Sequence, residues 1–163
     1  MTHRLVPLCL ALTLAGAASA ASPEKPGVAY PAGYRKWSLV KSMVIYSDKH
    51  PLFAQFGGMH HVYANAEAMR ALVKGGTFPD GSVLVLDLLE AKDETGAWIE
   101  GSRKLVAVME KDRARFKATG GWGFEAFKGD SRTERTVTDA AGQCFGCHQQ
   151  QKANDFVFSG FHP

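Results

Sequence analysis

The stretch Gln143-Cys144-Phe145-Gly146-Cys147-His148, with fifteen residues after it, most constrains what this chain can become. Two thiols separated by two residues and followed at once by an imidazole form the attachment signature of c-type haem. Each thiol adds across one haem vinyl group, and the two intervening residues let both sulfurs reach neighbouring pyrrole edges. The next residue then lies beneath the iron, where His148 offers a neutral imidazole nitrogen as proximal ligand. Three other chemistries use a Cys-x-x-Cys pair. A thioredoxin-like redox pair follows a strand in a βαβ pattern, and no such pattern is visible here. A zinc site needs further ligands. A disulfide between Cys144 and Cys147 is permitted in an oxidising compartment.

The compartment follows from the other end of the chain. Thr2-His3-Arg4 precedes an apolar run from Leu5 to Ala17, and Ala18-Ser19-Ala20 supplies a small-x-small cleavage site before Ala21. This pattern reads as a secretory signal peptide over residues 1–20, too short and alanine-rich for a permanent span. Cys9 lies inside it, and Pro7 and Leu8 are unlike the small residues that precede a lipidated cysteine. The expected address is the periplasm, where c-type attachment in bacteria takes place. Arg4 leaves with the leader, so the formal net charge of +3 falls to +2. The charges are interspersed rather than clustered, which speaks against a nucleic-acid partner. Beyond the leader no apolar run is long enough to cross a bilayer as a helix.

Residues 21–163 suffice for one domain with a sizeable core. Residues 22–33 are rich in Pro and Gly and read as an irregular arm. Tyr34 to Tyr46 reads as a strand, although its alternation is imperfect. Asp48 to Gly58 reads as a short turn or helix carrying Phe53 and Phe56, and Met59 to Tyr63 as a strand. Asn65 is an N-cap for a helix from Ala66 to Lys74, closed by Gly75-Gly76. Further strands are expected over Ser82 to Leu89, Arg103 to Met109 and Trp122 to Phe127, with turns at Phe78–Gly81 and Asp93–Gly96. Asp112 to Ala118 reads as a short helix, and Thr138 to Gly142 leads a helix into the haem motif. The expected fold is a single α+β domain, mainly an antiparallel sheet with a few short helices.

No methionine follows His148, so any sixth iron ligand must come from upstream. Met43, Met59, Met69, Met109, His50, His60 and His61 are the formal choices, and ordinary packing explains each equally well. His60 and His61 are neighbours on a strand, so they point to opposite faces and cannot both approach one iron. Trp122, Phe124, Arg132 and Arg135 are candidates for packing on haem or pairing with its propionates, against core packing and solvated charge as the plainer readings.

His61-Val62-Tyr63-x-Asn65, Phe78-Pro79-Asp80-Gly81-Ser82, Gly120-Gly121-Trp122-Gly123-Phe124, Cys144-x-x-Cys147-His148 and Asp155-x-Val157-Phe158 occur in this order. Together they resemble the cytochrome P-460 / cytochrome c′-beta family, from about Tyr30 to the end of the chain. The resemblance implies a mostly antiparallel β fold, a homodimer, and five-coordinate haem with His148 as the sole protein ligand. P-460 enzymes oxidise hydroxylamine and cross-link a lysine to the haem. That lysine corresponds to Leu86 here, and the family's distal carboxylate falls near Ala107. The c′-beta members cap the iron with apolar side chains, at positions that correspond to Phe56 and Leu86.

A cap of Phe56 and Leu86 offers no hydrogen-bond donor and no base for deprotonating hydroxylamine. An anionic ligand is penalised by desolvation there, whereas a neutral diatomic is not. The expected function is therefore a mono-haem c-type cytochrome with one covalently attached haem, binding nitric oxide and carbon monoxide for scavenging, carriage or sensing. Hydroxylamine oxidation is the enzymatic alternative, and a simple electron-transfer cytochrome with six-coordinate iron is the other. The redox partner is not legible in the sequence.

Overall fold

The computed structural model describes residues 27–162. The expected leader at residues 1–20, with Cys9, lies outside the described residues. The expected fold class is found: a single domain built on five antiparallel strands in the order β1-β2-β3-β4-β5. These are β1 (Ser38–Ile45), β2 (Gly58–Ala64), β3 (Val83–Glu94), β4 (Ala97–Lys111) and β5 (Trp122–Lys128). Short helices α1 (Phe53–Phe56) and α2 (Ala66–Lys74) flank β2, and α3 (Gly146–His148) carries the end of the Cys-x-x-Cys-His stretch. Among the described residues no helix is long and apolar enough to cross a membrane.

The strands form where β-branched and leucine residues run together, and each face of the sheet collects its own hydrophobic layer. One face gathers Ala64, Leu84, Trp122 and Phe124, with Ala68 and Ala71 of α2, Phe78, Phe145 and Val157 packed over them. The other gathers Val85, Val106, Val108 and Phe127 under Val28 and Tyr34. Burial on both sides explains why Val83–Leu89 is apolar at every position but Asp87 rather than cleanly alternating. α2 starts as expected: the Asn65 side chain accepts from Ala68 N at 2.9 Å and from Val83 N at 3.0 Å. One residue thus caps the helix and ties it to β3.

Three expectations are corrected. Tyr34–Lys36 is a 3-10 turn, not strand, because Gly33 takes a left-handed φ of 78° and drives Tyr34 into the second face. The imperfect alternation in β1 has a cause: the register slips between Leu39 and Lys41, leaving Val40 as a bulge. β3 and β4 run well past the expected ends at Leu89 and Arg103, pairing as far as Glu94 with Ala97. Thr95 and Gly96 both take positive φ, the geometry of a two-residue hairpin turn whose twist matches its strands. Such a ribbon closes through its own backbone bonds, so its polar sequence carries no strand pattern. The expected helix over Asp112 to Ala118 reduces to a loop and a 3-10 turn at Lys117–Thr119.

β5 lies at the sheet edge yet is buried from Trp122 to Phe127. Tyr30 covers Phe127 with ring centroids 5.1 Å apart. The following loop shields the edge, with Lys128 N donating to Glu134 O and Thr136 N donating to Ala126 O. Such coverage blocks edge-to-edge pairing.

Asp87 is fully buried on the second face, where Arg103 Nε donates to it at 2.6 Å and Arg35 Nε at 2.8 Å. Burial alone raises a carboxyl pKa, but hydrogen bonds from Arg103 and Arg35, with Tyr34 nearby, hold Asp87 below its ordinary range. Its contribution to stability is therefore present above about pH 4 and is lost as pH falls through the lowered folded-state value. Asp87→Asn is expected to lower the unfolding free energy by about 3 kcal/mol at neutral pH. That is the low end for breaking a buried pair, because both guanidinium groups reach solvent. In denaturant titrations at several pH values, the gap between wild type and variant should narrow below about pH 4.

Candidate functional site

The Cys-x-x-Cys-His stretch sits on a continuous helical segment, formed by a single π-type turn over Ala141–Phe145 that runs directly into α3. Its start is fixed locally. Asp139 Oδ1 accepts from Ala141 N and Gly142 N, both at 3.1 Å, while Gln143 Oε1 reaches back to Thr138 N and Asp139 N, both at 2.9 Å. This reciprocal arrangement is a capping box in all but spacing. Gly142 is required there, since a Cβ would meet Asp139 Oδ2 at 2.5 Å. On the helical segment Cys144, Cys147 and His148 stand at i, i+3 and i+4, so all three share one side.

No disulfide joins Cys144 to Cys147. Burial pushes the Cys144 thiol up to about 11, with Glu125, Cys147 and Asp139 adding to the shift. A thiol used for disulfide exchange needs the opposite shift, so the redox reading loses support. Among the described residues no three His, Cys, Asp or Glu side chains cluster as a metal site of their own.

His148 is held by its other nitrogen. Nδ1 lies 2.7 Å from the Phe156 carbonyl oxygen. A carbonyl only accepts, so Nδ1 carries the proton and Nε2 keeps the lone pair. Burial lowers the His148 pKa and so favours the neutral ring, against the opposing effect of the Phe156 bond. A neutral imidazole with one nitrogen pinned and one lone pair free is the form that binds a metal. Phe124 and Phe158 wall the ring, each with its centroid 5.0 Å from that of His148.

Phe124 belongs to the first face of the sheet, so His148 packs on that face. Phe124 lies in the cross-strand row Ala64, Leu84, Met109, Phe124, and the next row on the same face is Val62, Leu86, Ala107, Ala126. Leu86 and Ala107 are direct partners. The expectation that assigned two distal positions to these two residues therefore puts them side by side, on the face that carries His148. The row is half-buried from Val62 through Ala107. Phe56 ends α1, at the Gly57–Gly58 entry to β2. His60 Nε2 lies 2.6 Å from Phe56 O, and Lys104 Nζ donates to Gly57 O at 2.6 Å. These bonds fix the backbone that bears Phe56.

The remaining candidates separate cleanly. His60 is buried on the first face opposite Leu88, while His61 turns to the second, where Nε2 lies 2.8 Å from Glu100 Oε1. Met69 and Met109 pack against the first core layer, and Met43 is exposed. Trp122 donates Nε1–H to Asp155 O at 2.7 Å. Arg135 donates to Glu125 and Val28 O, and Arg132 stacks on Tyr30. Trp122 serves the core of the first face, and Arg135 and Arg132 the second face.

Sequence reasoning missed the Phe156 carbonyl, Asp155, and the Asp139–Gln143 cap. The Asp155-x-Val157-Phe158 motif was the visible signal for the first two, but a backbone acceptor leaves no mark of its own. The residues present fit a c-type haem: Cys144 and Cys147 offer two thiols on one side of a helix, and His148 offers a free Nε2. Changing His148 to Ala should alter the visible spectrum while leaving two thioether attachments, because ligation and attachment use different side chains. Peptide mass mapping of the denatured holoprotein checks the attachment and optical spectroscopy the ligation.

The comparison with known families agrees with this geometry. No curated protein matches the chain. A family model described as Cytochrome P460 matches residues 31–159, a span that includes all five strands and the Cys-x-x-Cys-His stretch. Membership implies c-type haem, and the pair Cys144 and Cys147 that such haem needs is present. From the antiparallel sheet, the helical thiol pair and this match, the chain belongs to the Cytochrome P460 family.

Proposed function

We propose that this protein is a periplasmic mono-haem cytochrome of the c′-beta kind, carrying one covalently attached haem c and binding nitric oxide and carbon monoxide. The observation that carries this reading is the Leu86–Ala107 cross-strand pair. These are the positions at which the resemblance puts the cross-linking lysine and distal carboxylate of the hydroxylamine-oxidising members. Neither side chain here donates, accepts or titrates.

From β2 to β5 the row Val62, Leu86, Ala107, Ala126 is apolar, and on β1 it ends in Lys41, the partner of Val62. One row away, His60 has a ring nitrogen engaged with Phe56 O, and burial lowers its pKa. The Leu86–Ala107 pair itself supplies no proton acceptor, which disfavours oxidation of hydroxylamine. It also penalises anions through desolvation and leaves neutral diatomics unpenalised. Haem, when bound, supplies an iron coordination position for the gas. The chain's part is to hold it through Cys144 and Cys147, to present Nε2 of His148 from one side, and to keep the Leu86 side dry. Scavenging, carriage and sensing all need only this much. A homodimer and export through residues 1–20 complete the reading.

The deciding experiment is an optical and resonance Raman spectrum of the ferrous holoprotein before and after nitric oxide. A high-spin, five-coordinate spectrum with an ordinary c-type Soret band that responds to the gas is expected. A low-spin spectrum unmoved by the gas makes the protein an electron carrier, and a strongly red-shifted Soret band makes it a cross-linked enzyme. Leu86→Lys is expected to change the ferrous spectrum and the carbon monoxide affinity. It should also lower stability by about 1–3 kcal/mol, as expected for an unpaired polar group on an apolar face. Unchanged spectra and affinity in that variant would remove Leu86 from the distal side.

A further inference from the structure

Lys111 ends β4 and is 2 % exposed, an unusual place for an ammonium group. Nζ donates to Asp155 Oδ1 at 2.8 Å and to Gly120 O at 3.1 Å, and it lies 4.9 Å from the centre of the Trp122 ring. A well-packed apolar residue commonly serves stability as well as a buried ion pair or better. What such a pair adds is direction: it fixes where Asp155 stands.

Asp155 is held from every side. Oδ2 accepts from Phe78 N at 2.9 Å, and its backbone oxygen accepts from Trp122 Nε1 at 2.7 Å. Asp155 and Phe156 take positive φ, 47° and 67°, and are two consecutive non-glycine residues in the left-handed region. Such conformations persist only where surrounding contacts over-determine them, and they concentrate at functional sites. Gly120 makes room for the turn, since a Cβ there would meet Phe156 Cε2 at 2.5 Å. The result of the double left-handed turn is that Phe156 N donates to Gln151 O at 2.8 Å while Phe156 O faces His148 Nδ1 at 2.7 Å.

We propose that Lys111 and Asp155 are positioning residues for His148. By pinning the left-handed turn they aim the Phe156 carbonyl at Nδ1, and so set how strongly Nε2 binds iron. A hydrogen bond from the far ring nitrogen raises the basicity of a ligating histidine and fixes its orientation. The chain of contacts runs from the end of β4 through Lys111, Asp155 and Phe156 O to His148 Nδ1. This inference rests on the reading of His148 as the iron ligand.

The test uses holoprotein variants Asp155→Asn, Lys111→Met and the double variant, which leaves no uncompensated buried charge and is least exposed to misfolding. In each, the iron–histidine stretching band of the ferrous protein should move to lower frequency, the reduction potential should rise, and the Nδ1 proton of His148 should exchange faster with solvent. Asp87→Asn is the control, because it breaks a buried pair on the opposite face without touching this path. It should lower stability and leave the band in place. A band unmoved in the double variant, or moved equally by Asp87→Asn, overturns the proposal. A wild-type band that survives His148→Gly overturns the ligand reading and the proposal with it, an outcome distinct from a band that is lost in His148→Gly yet ignores Lys111 and Asp155.

Discussion

The register between β3 and β4 is the constraint on which the rest of the structure depends. Leu86 pairs with Ala107 on one face, and Asp87 pairs with Val106 on the other. Side chains alternate along a strand, so a slip of one residue exchanges the two faces completely. Asp87 would then enter the apolar layer beside His148, and Leu86 would face Arg35 and Arg103. Both changes are strongly unfavourable, because an unpaired carboxylate would be buried and two guanidinium groups would lose their partner. The buried Asp87 cluster on the second face thus keeps Leu86 on the first, although no atom of it lies there.

The two faces divide the labour. The second holds charge: Asp87 with Arg35 and Arg103, Glu125 with Arg135, and Arg103 again with Asp130. The first holds α2, the helical segment with Cys144 and Cys147, and the ring of His148 against Phe124. The segment with the thiols is held on the sheet by its own Phe145 and Cys144 and by Asp155 and Val157, which follow it. This anchoring matters chemically. A haem ligand must be oriented as well as present, and orientation comes from the second ring nitrogen.

Local signals were readable wherever short-range physics decides. The Asn65 cap, the helix Ala66–Lys74 and the turn at Thr95–Gly96 depend on neighbours within a few residues, and each stands where its residues indicate. The opposite orientation of His60 and His61 followed from strand geometry alone. The errors fall where backbone pairing, not side-chain pattern, sets the structure. The ribbon Ala91–Glu100 mixes charged residues with Trp98 and Ile99, so it shows no alternation although its two strands pair. At Tyr34 the pull of a distant apolar face overrode the local run of residues.

By itself the sequence determined the chemistry on offer: a thiol pair and imidazole at helical spacing, a leader-like start, and apolar residues at the Leu86 and Ala107 positions. Those are properties of residue type and spacing, which a linear chain carries whole. Only the tertiary structure decided that Leu86 and Ala107 are partners on the face that His148 occupies, and that the proton of His148 rests on Nδ1. The first is a matter of strand register and the second of a backbone carbonyl turned by two left-handed residues. Register and carbonyl direction arise from contacts between segments far apart in the chain, so no local reading of residues contains them.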